Sequence, residues 1–238
     1  MIFKEFEIID KAKELHLNGE DNEAIKLLSS LDLANSKEAN YLLGRIYETA
    51  EKGISNIKKD IKIAISFYEK ALSLSHPDAG LELADIYYTG YLVKENLKKA
   101  EKYWKISSRL GNELATFELA NYYYNNNKIN DAVQLYSILV NGKFGGNSCF
   151  KLAISFLRGN EIKKDVLKAI EYLKKGVELD NVNCLFKLGW LYYKGEVIEQ
   201  NLNKAIELIK RAGEFELYEE ESKAILTAIN NSPNLSRK

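Results

Sequence analysis

The chain has 238 residues, of which 46% are hydrophobic and 29% charged, with only two prolines; this excludes disordered and collagen-like classes and favours a soluble, helix-rich fold. Its 34 basic and 34 acidic residues cancel, so no global field draws it toward nucleic acid or anionic lipid, although a local patch is compatible with that balance. The two cysteines, Cys149 and Cys184, are too few for a disulfide framework and lie in no Cys-x-x-Cys pair, which favours reduced thiols.

The opening MIFKEFEIIDKAKEL places apolar residues at helical spacing among charges and offers neither the apolar core nor the cleavage site of a secretion signal. No run of 18 apolar residues occurs in the chain, so no membrane span is expected and the cytoplasm is the expected compartment. Ala12 and Leu15, then Asn18-Gly19, then Glu23-Ala24-Ile25-Lys26-Leu27-Leu28 give a loose first hairpin over residues 1–36.

A stronger pattern follows. Leu43-Gly44-Arg45-Ile46-Tyr47, Leu83-Ala84-Asp85-Ile86-Tyr87, Leu119-Ala120-Asn121-Tyr122-Tyr123, Leu152-Ala153-Ile154-Ser155-Phe156 and Leu188-Gly189-Trp190-Leu191-Tyr192 share leucine, a small residue, two free positions and an aromatic. Their small residues are 40, 36, 33 and 36 apart, a period that marks a repeat architecture. Each copy precedes a second helix marked by Ala64, Ala100, Ala132, Ala169 or Ala205, with Tyr68, Tyr103, Trp104, Tyr136, Tyr172 and Ile209 as large packing residues. Spacing of i, i+3 and i+4 makes each segment an amphipathic helix with one buried stripe.

Four of the connecting turns read aliphatic, two free, Asp or Asn, three free, Ala: Ile57-Asp60-Ala64, Val93-Asn96-Ala100, Ile162-Asp165-Ala169 and Ile198-Asn201-Ala205. The Asp or Asn is placed to cap the second helix by accepting an orphan backbone N–H. Gly90, Gly159 and Gly195 suit the end of the first. The small residue and the alanine are 16 apart in three copies and 20 in the Gly44–Ala64 copy. They are 12 apart in Ala12–Ala24 and Ala120–Ala132. Beyond the repeats, Tyr218–Asn231 reads as a capping helix, and Ser232–Lys238 as a frayed tail.

These motifs and turn lengths resemble the Sel1-like repeat, a branch of the tetratricopeptide-repeat superfamily, well over residues 37–213 and loosely over 1–36. The resemblance implies an all-α fold, a right-handed α-solenoid of about six helical hairpins plus the capping helix, as a single domain over residues 1–238. In that family the first helices line a concave wall, and the proteins act as adaptors or scaffolds.

Residues for catalysis are scarce. His16 and His76 are the only histidines, with no cysteine or paired carboxylate at ligand spacing, so no metal site and no cofactor is expected. Gly142-Lys143-Phe144-Gly145-Gly146-Asn147 lacks the phosphate-loop order and reads as the turn between the fourth and fifth hairpins. No nucleophile elbow or kinase signature occurs. Cys149 and Cys184 lie one repeat apart and read as neighbouring packing residues, while Glu219-Glu220-Glu221 and Lys58-Lys59 read as solvated surface.

Tyr87-Tyr88, Tyr123-Tyr124 and Tyr192-Tyr193 end three first helices. Adjacent helical residues point about 100° apart, so the first of each pair is expected in the core and the second on the concave wall. Three residues back lie Asp85, Asn121 and Trp190, with Arg45 and Ile154 equivalent. The candidate partner-binding residues are therefore Arg45, Asp85, Tyr88, Asn121, Tyr124, Trp190 and Tyr193; the competing reading is that Tyr88, Tyr124 and Tyr193 merely cover neighbouring helices. The expected function is a non-catalytic scaffold or adaptor docking a protein or peptide, as a monomer or weak homo-oligomer. A cytoplasmic immunity protein or inhibitor that neutralises a toxin by direct binding is the alternative. Enzymes and nucleic-acid binders are the least favoured classes.

Overall fold

The structure, a computed structural model, describes residues 2–50, 57–91 and 93–231; the expected frayed tail lies outside them. Two compact units, Met1–Leu119 and Ala120–Lys238, divide the chain. In the first, α1 (Ile2–Leu17) pairs with α2 (Asp21–Leu28), α3 (Lys37–Thr49) with α4 (Ile61–Ser73), and α5 (Pro77–Thr89) with α6 (Leu97–Arg109). Helix α7 (Glu113–Asn125) runs across the division. In the second unit follow α8 (Ile129–Leu139), α9 (Gly145–Arg158), α10 (Val166–Glu178), α11 (Val182–Lys194), α12 (Leu202–Ala212) and, after a 3-10 turn at Glu216–Tyr218, α13 (Glu219–Asn230). No strand occurs among the described residues. The fold is a helical-repeat solenoid.

Each hairpin is closed by the same pair of columns. The small residues Gly44, Ala84, Ala120, Ala153 and Gly189 are buried, as are Ala64, Ala100, Ala132, Ala169 and Ala205 on the second helices. Four residues beyond each alanine stand Tyr68, Trp104, Tyr136, Leu173 and Ile209, all at most 2% exposed, each contributing roughly 1.5–3 kcal/mol of burial free energy. A small residue on one helix lets this large one lie against the facing backbone. At Gly44 the approach is closest: an added Cβ would stand 2.6 Å from two ring carbons of Tyr68. In the fifth hairpin Leu173, not Tyr172, occupies the core position; the Tyr172 ring is half-buried and stacks on Phe156 instead.

The turns form as their residues dictate. Asp60, Asn96, Asp165 and Asn201 each accept a backbone N–H from the first turn of the following helix, at 2.9–3.1 Å, which satisfies an otherwise orphan donor. Each of these residues also donates its own N–H to the carbonyl of the aromatic in the preceding helix: Asp60 to Tyr47, Asn96 to Tyr87, Asp165 to Phe156 and Asn201 to Tyr192, at 2.8–3.0 Å. Gly90, Gly159 and Gly195 end α5, α9 and α11 with φ of 64°, 72° and 67°, a left-handed conformation costly to residues with a Cβ. The glycine-rich segment is shared between a turn and a helix, since Gly145, Gly146 and Asn147 already belong to α9.

The aromatic register is only partly core. Tyr123 and Phe156 are 6% and 9% exposed, whereas Tyr47, Tyr87 and Tyr192 are half-buried. Lysine contacts occur in both groups: the ammonium of Lys99 lies 4.4 Å from the Tyr87 ring centre, that of Lys204 5.3 Å from Tyr192 and that of Lys128 5.1 Å from the buried Tyr123. Lys168 does the same over Phe156 at 4.6 Å, so a cation–π contact accompanies three of the four Asp/Asn caps.

Candidate partner-binding surface

In the first unit, Arg45 belongs to a polar cluster on α3 and α5. Arg45 donates to the Tyr41 hydroxyl at 3.5 Å and lies 3.9 Å from the Glu82 carboxylate, to which Tyr41 donates at 3.1 Å. Tyr41 stacks on His76 with ring centres 4.3 Å apart. Burial, countered in part by Arg45, pushes the Tyr41 phenol up to about 12. Burial also raises the Glu82 carboxyl and lowers the His76 imidazole. A groove of about 390 Å³ opens here, lined by Lys13, His16, Glu38, Arg45 and Asp78 among others. Its charges are mixed and select no one class of ligand.

Asp85 and Asn121 have an internal task that the sequence reading did not assign. The Trp104 indole N–H donates to Asp85 at 3.3 Å, and the Tyr136 hydroxyl donates to the Asn121 side-chain amide oxygen, Oδ1, at 2.7 Å. Trp104 and Tyr136 are the buried residues four beyond the second-helix alanine. Where that position is Leu173 or Ile209, the first helix carries Ile154 or Trp190 instead. The column varies because it answers the polarity of its buried partner, and a buried donor without an acceptor is costly. In the α3–α4 hairpin the same service comes from Glu48, which accepts from Tyr68 at 2.5 Å.

Tyr88 is 43% exposed and its ring leans against Trp104 at 5.0 Å. Tyr124 and Tyr193 are half-buried, and Tyr124 meets Tyr136 edge-on at 6.4 Å. The Tyr88 and Tyr124 rings thus each lie against a ring of the facing helix.

In the second unit cations surround the candidate aromatics. The Lys151 ammonium lies 4.8 Å from the Tyr124 ring centre, and Arg158, two turns further along α9, donates to the Tyr124 hydroxyl at 3.2 Å. On α11, Lys187 and Lys194 stand 4.6 and 5.8 Å from the Trp190 ring centre, and Lys194 is also 5.9 Å from Tyr193. Sequence reasoning missed these cations. The signal was present, since Lys151 and Lys187 each stand two residues before the small residue of their repeat.

Other chemistry-bearing residues lie apart from these surfaces. Cys149 and Cys184 are buried free thiols, and burial raises both above the ordinary thiol range. They flank Gly176, whose hypothetical Cβ would meet atoms of both. Among the described residues there is no cluster of three or more His, Cys, Asp and Glu able to hold a metal ion, and no helix long and apolar enough to cross a membrane.

The Sel1 repeat family matches residues 37–76, 77–112, 146–181 and 182–214, together well over half of the chain. The chain belongs to the Sel1 repeat family. The matched Sel1 segments correspond to the hairpins α3–α4, α5–α6, α9–α10 and α11–α12; α1–α2 and α7–α8, with the 12-residue spacing, fall outside them. Among solved structures, a Sel1 repeat protein from Oxalobacter formigenes is 21% identical, with a TM-score of 0.65 over 87% of this chain and 84% of that one. A protective antigen of uropathogenic Escherichia coli with the same class of fold is also 21% identical, with a TM-score of 0.70 over 97% of this chain and 50% of that one. The chain thus spans about half the length of that antigen. These likenesses establish the shared Sel1 solenoid architecture, a scaffold typical of protein–protein interaction.

Proposed function

We propose that the chain is a non-catalytic scaffold that docks a protein or peptide partner on the exposed face of its first helices. The observation that carries this reading is the set of half-buried aromatics, Tyr124, Trp190 and Tyr193, held among lysine and arginine side chains. Tyrosine, tryptophan and arginine supply most of the energy at protein interfaces because they combine large apolar area with a polar handle. Asp85 and Asn121 contribute less, because their oxygens are already engaged by Trp104 and Tyr136.

The test is capture from native lysate on the immobilised full chain, with quantitative mass spectrometry, comparing wild type with a Tyr124→Ala/Trp190→Ala variant. A partner whose recovery drops about tenfold or more fits the loss of two hot-spot side chains. Undiminished recovery of every retained protein would place the interface elsewhere and overturn the assignment. A toxin as the captured protein would give the chain an immunity role, and an assembly or signalling component an adaptor role.

A further inference from the structure

Lys151, Arg158, Lys187 and Lys194 form a patch of one sign on α9 and α11. None of the four has a carboxylate within ion-pair distance among the described residues, where every salt bridge lies elsewhere. Lys151 and Lys187 are half-buried. Burial first, and the nearby Arg158 charge second, hold both ammonium groups below the ordinary lysine range. Clustered cations partly withdrawn from water, without an internal counter-ion, are relieved by an external anion.

Repeat packing does not require these lysines. The position two before the small residue is Leu42 and Glu82 in the first two full repeats and Glu118 in the third, so the same register accepts an aliphatic, an acid or a base. The register itself therefore does not dictate a basic residue.

The rings also discriminate between classes of anion. Single-stranded nucleic acid binds by stacking bases on open aromatic faces, and lysine side chains already lie over Tyr124 and Trp190. A carboxylate needs no open ring face; it needs the ammonium groups that those rings hold in place.

We infer that the α9–α11 face docks an acidic peptide segment, its Asp and Glu carboxylates pairing with Lys151, Arg158, Lys187 and Lys194 while an apolar side chain packs beside Trp190. This rests on the reading that the first-helix face docks a protein, and it names the chemistry of the docked segment.

Fluorescence anisotropy with the full chain tests it, using three labelled probes: a short peptide alternating Glu and Asp with Leu, its Lys/Arg twin, and oligo(dT). The acidic peptide alone is expected to bind, with an affinity that falls about tenfold or more as salt is raised to the physiological level. Lys151→Gln/Lys187→Gln is expected to weaken binding about tenfold or more, with a melting temperature close to wild type, because relief from the Arg158 charge offsets the loss of two cation–π contacts. Lys62→Gln/Lys98→Gln, at exposed lysines of the first unit, is expected to leave binding unchanged. Equal binding of the basic twin, full affinity in the Lys151/Lys187 variant, or tighter binding of oligo(dT) would each overturn the proposal. If the acidic peptide fails while Tyr124→Ala/Trp190→Ala still abolishes lysate capture, the acidic assignment falls alone. If both fail, the docking face falls with it.

Discussion

The Trp104 indole N–H donates to the Asp85 carboxyl group at 3.3 Å, in a setting that disfavours the charge of that group. Burial pushes the Asp85 carboxyl up to about 6, the indole bond offsets this in part, and Glu82, Glu118 and Glu48 add repulsion. Between about pH 4 and 6 the folded chain therefore binds more protons at this site than the unfolded chain. The contribution of Asp85 to stability is greatest below that window and declines as pH rises through it. Asp85→Asn keeps an acceptor for the indole, as Asn121 does for Tyr136, and removes the charge. It is expected to stabilise the chain by about 1 kcal/mol above pH 6, after allowing for solvent screening at a half-buried site. Urea melts at both ends of the window check this, and an equal gain at pH 4 would show that ionisation is not the cause.

Tyr123 and Tyr124 are neighbours in sequence with different surroundings, one 6% exposed and the other half-buried. Tyr123→Ala is expected to cost roughly 3 kcal/mol or more, the range for deleting a large core aromatic. Tyr124→Ala removes an edge contact with Tyr136 and a cation–π contact with Lys151, for about 1 kcal/mol. Equal costs in urea melts would mean that the helix phase is wrong.

Asn121 and Tyr136 are coupled through a hydrogen bond at 2.7 Å. Asn121→Leu removes the amide oxygen to which the Tyr136 hydroxyl donates and is expected to cost about 2 kcal/mol, of which Tyr136→Phe in the same chain recovers roughly half. A double-mutant cycle measures the coupling, and additive costs would show that the two columns vary independently.

Gly44 and Gly189 occupy one register against different partners. In an open helix, Gly→Ala stabilises by about 1 kcal/mol. At Gly44 the new methyl meets the Tyr68 ring at 2.6 Å, whereas at Gly189 its nearest neighbours are Ile209 Cδ1 and Cγ1 at 3.0 Å and Leu208 Cβ at 3.1 Å. Gly44→Ala is expected to destabilise by about 2 kcal/mol, and Gly189→Ala by well under half of that. Thermal melts of the two variants decide it, and the reverse order would refute the close approach of Tyr68.

Features that depend on local chemistry were legible before the structure. The four Asp/Asn caps, the three left-handed glycines and the columns of small residues follow from local backbone geometry. The sequence could not say why Asp85 and Asn121 are polar where Ile154 and Trp190 are not. The cause lies in Trp104 and Tyr136, 19 and 15 residues further along, on the facing helix. The choice of Tyr172 over Leu173 failed for a related reason. Aromatic size suggested the core, but the four-residue step from Ala169 set the direction of the side chain, and Leu173 lies on that step. The cations on α9 and α11 were hidden by the neutral total, because charge summed along a chain carries no record of the face that each residue joins.

The bond from the capping residue back to the aromatic carbonyl sets where each turn ends and leaves its contents open. Twelve residues separate Tyr47 from Asp60, eight separate Tyr87 from Asn96, Phe156 from Asp165 and Tyr192 from Asn201, and four separate Tyr123 from Lys128, yet the same closure forms in all five. The free-energy cost of lengthening such a loop grows only slowly with length. The turns inside the hairpins are thus natural insertion points, and a reporter or second binding module spliced between Glu196 and Glu199 would leave α11 and α12 in register.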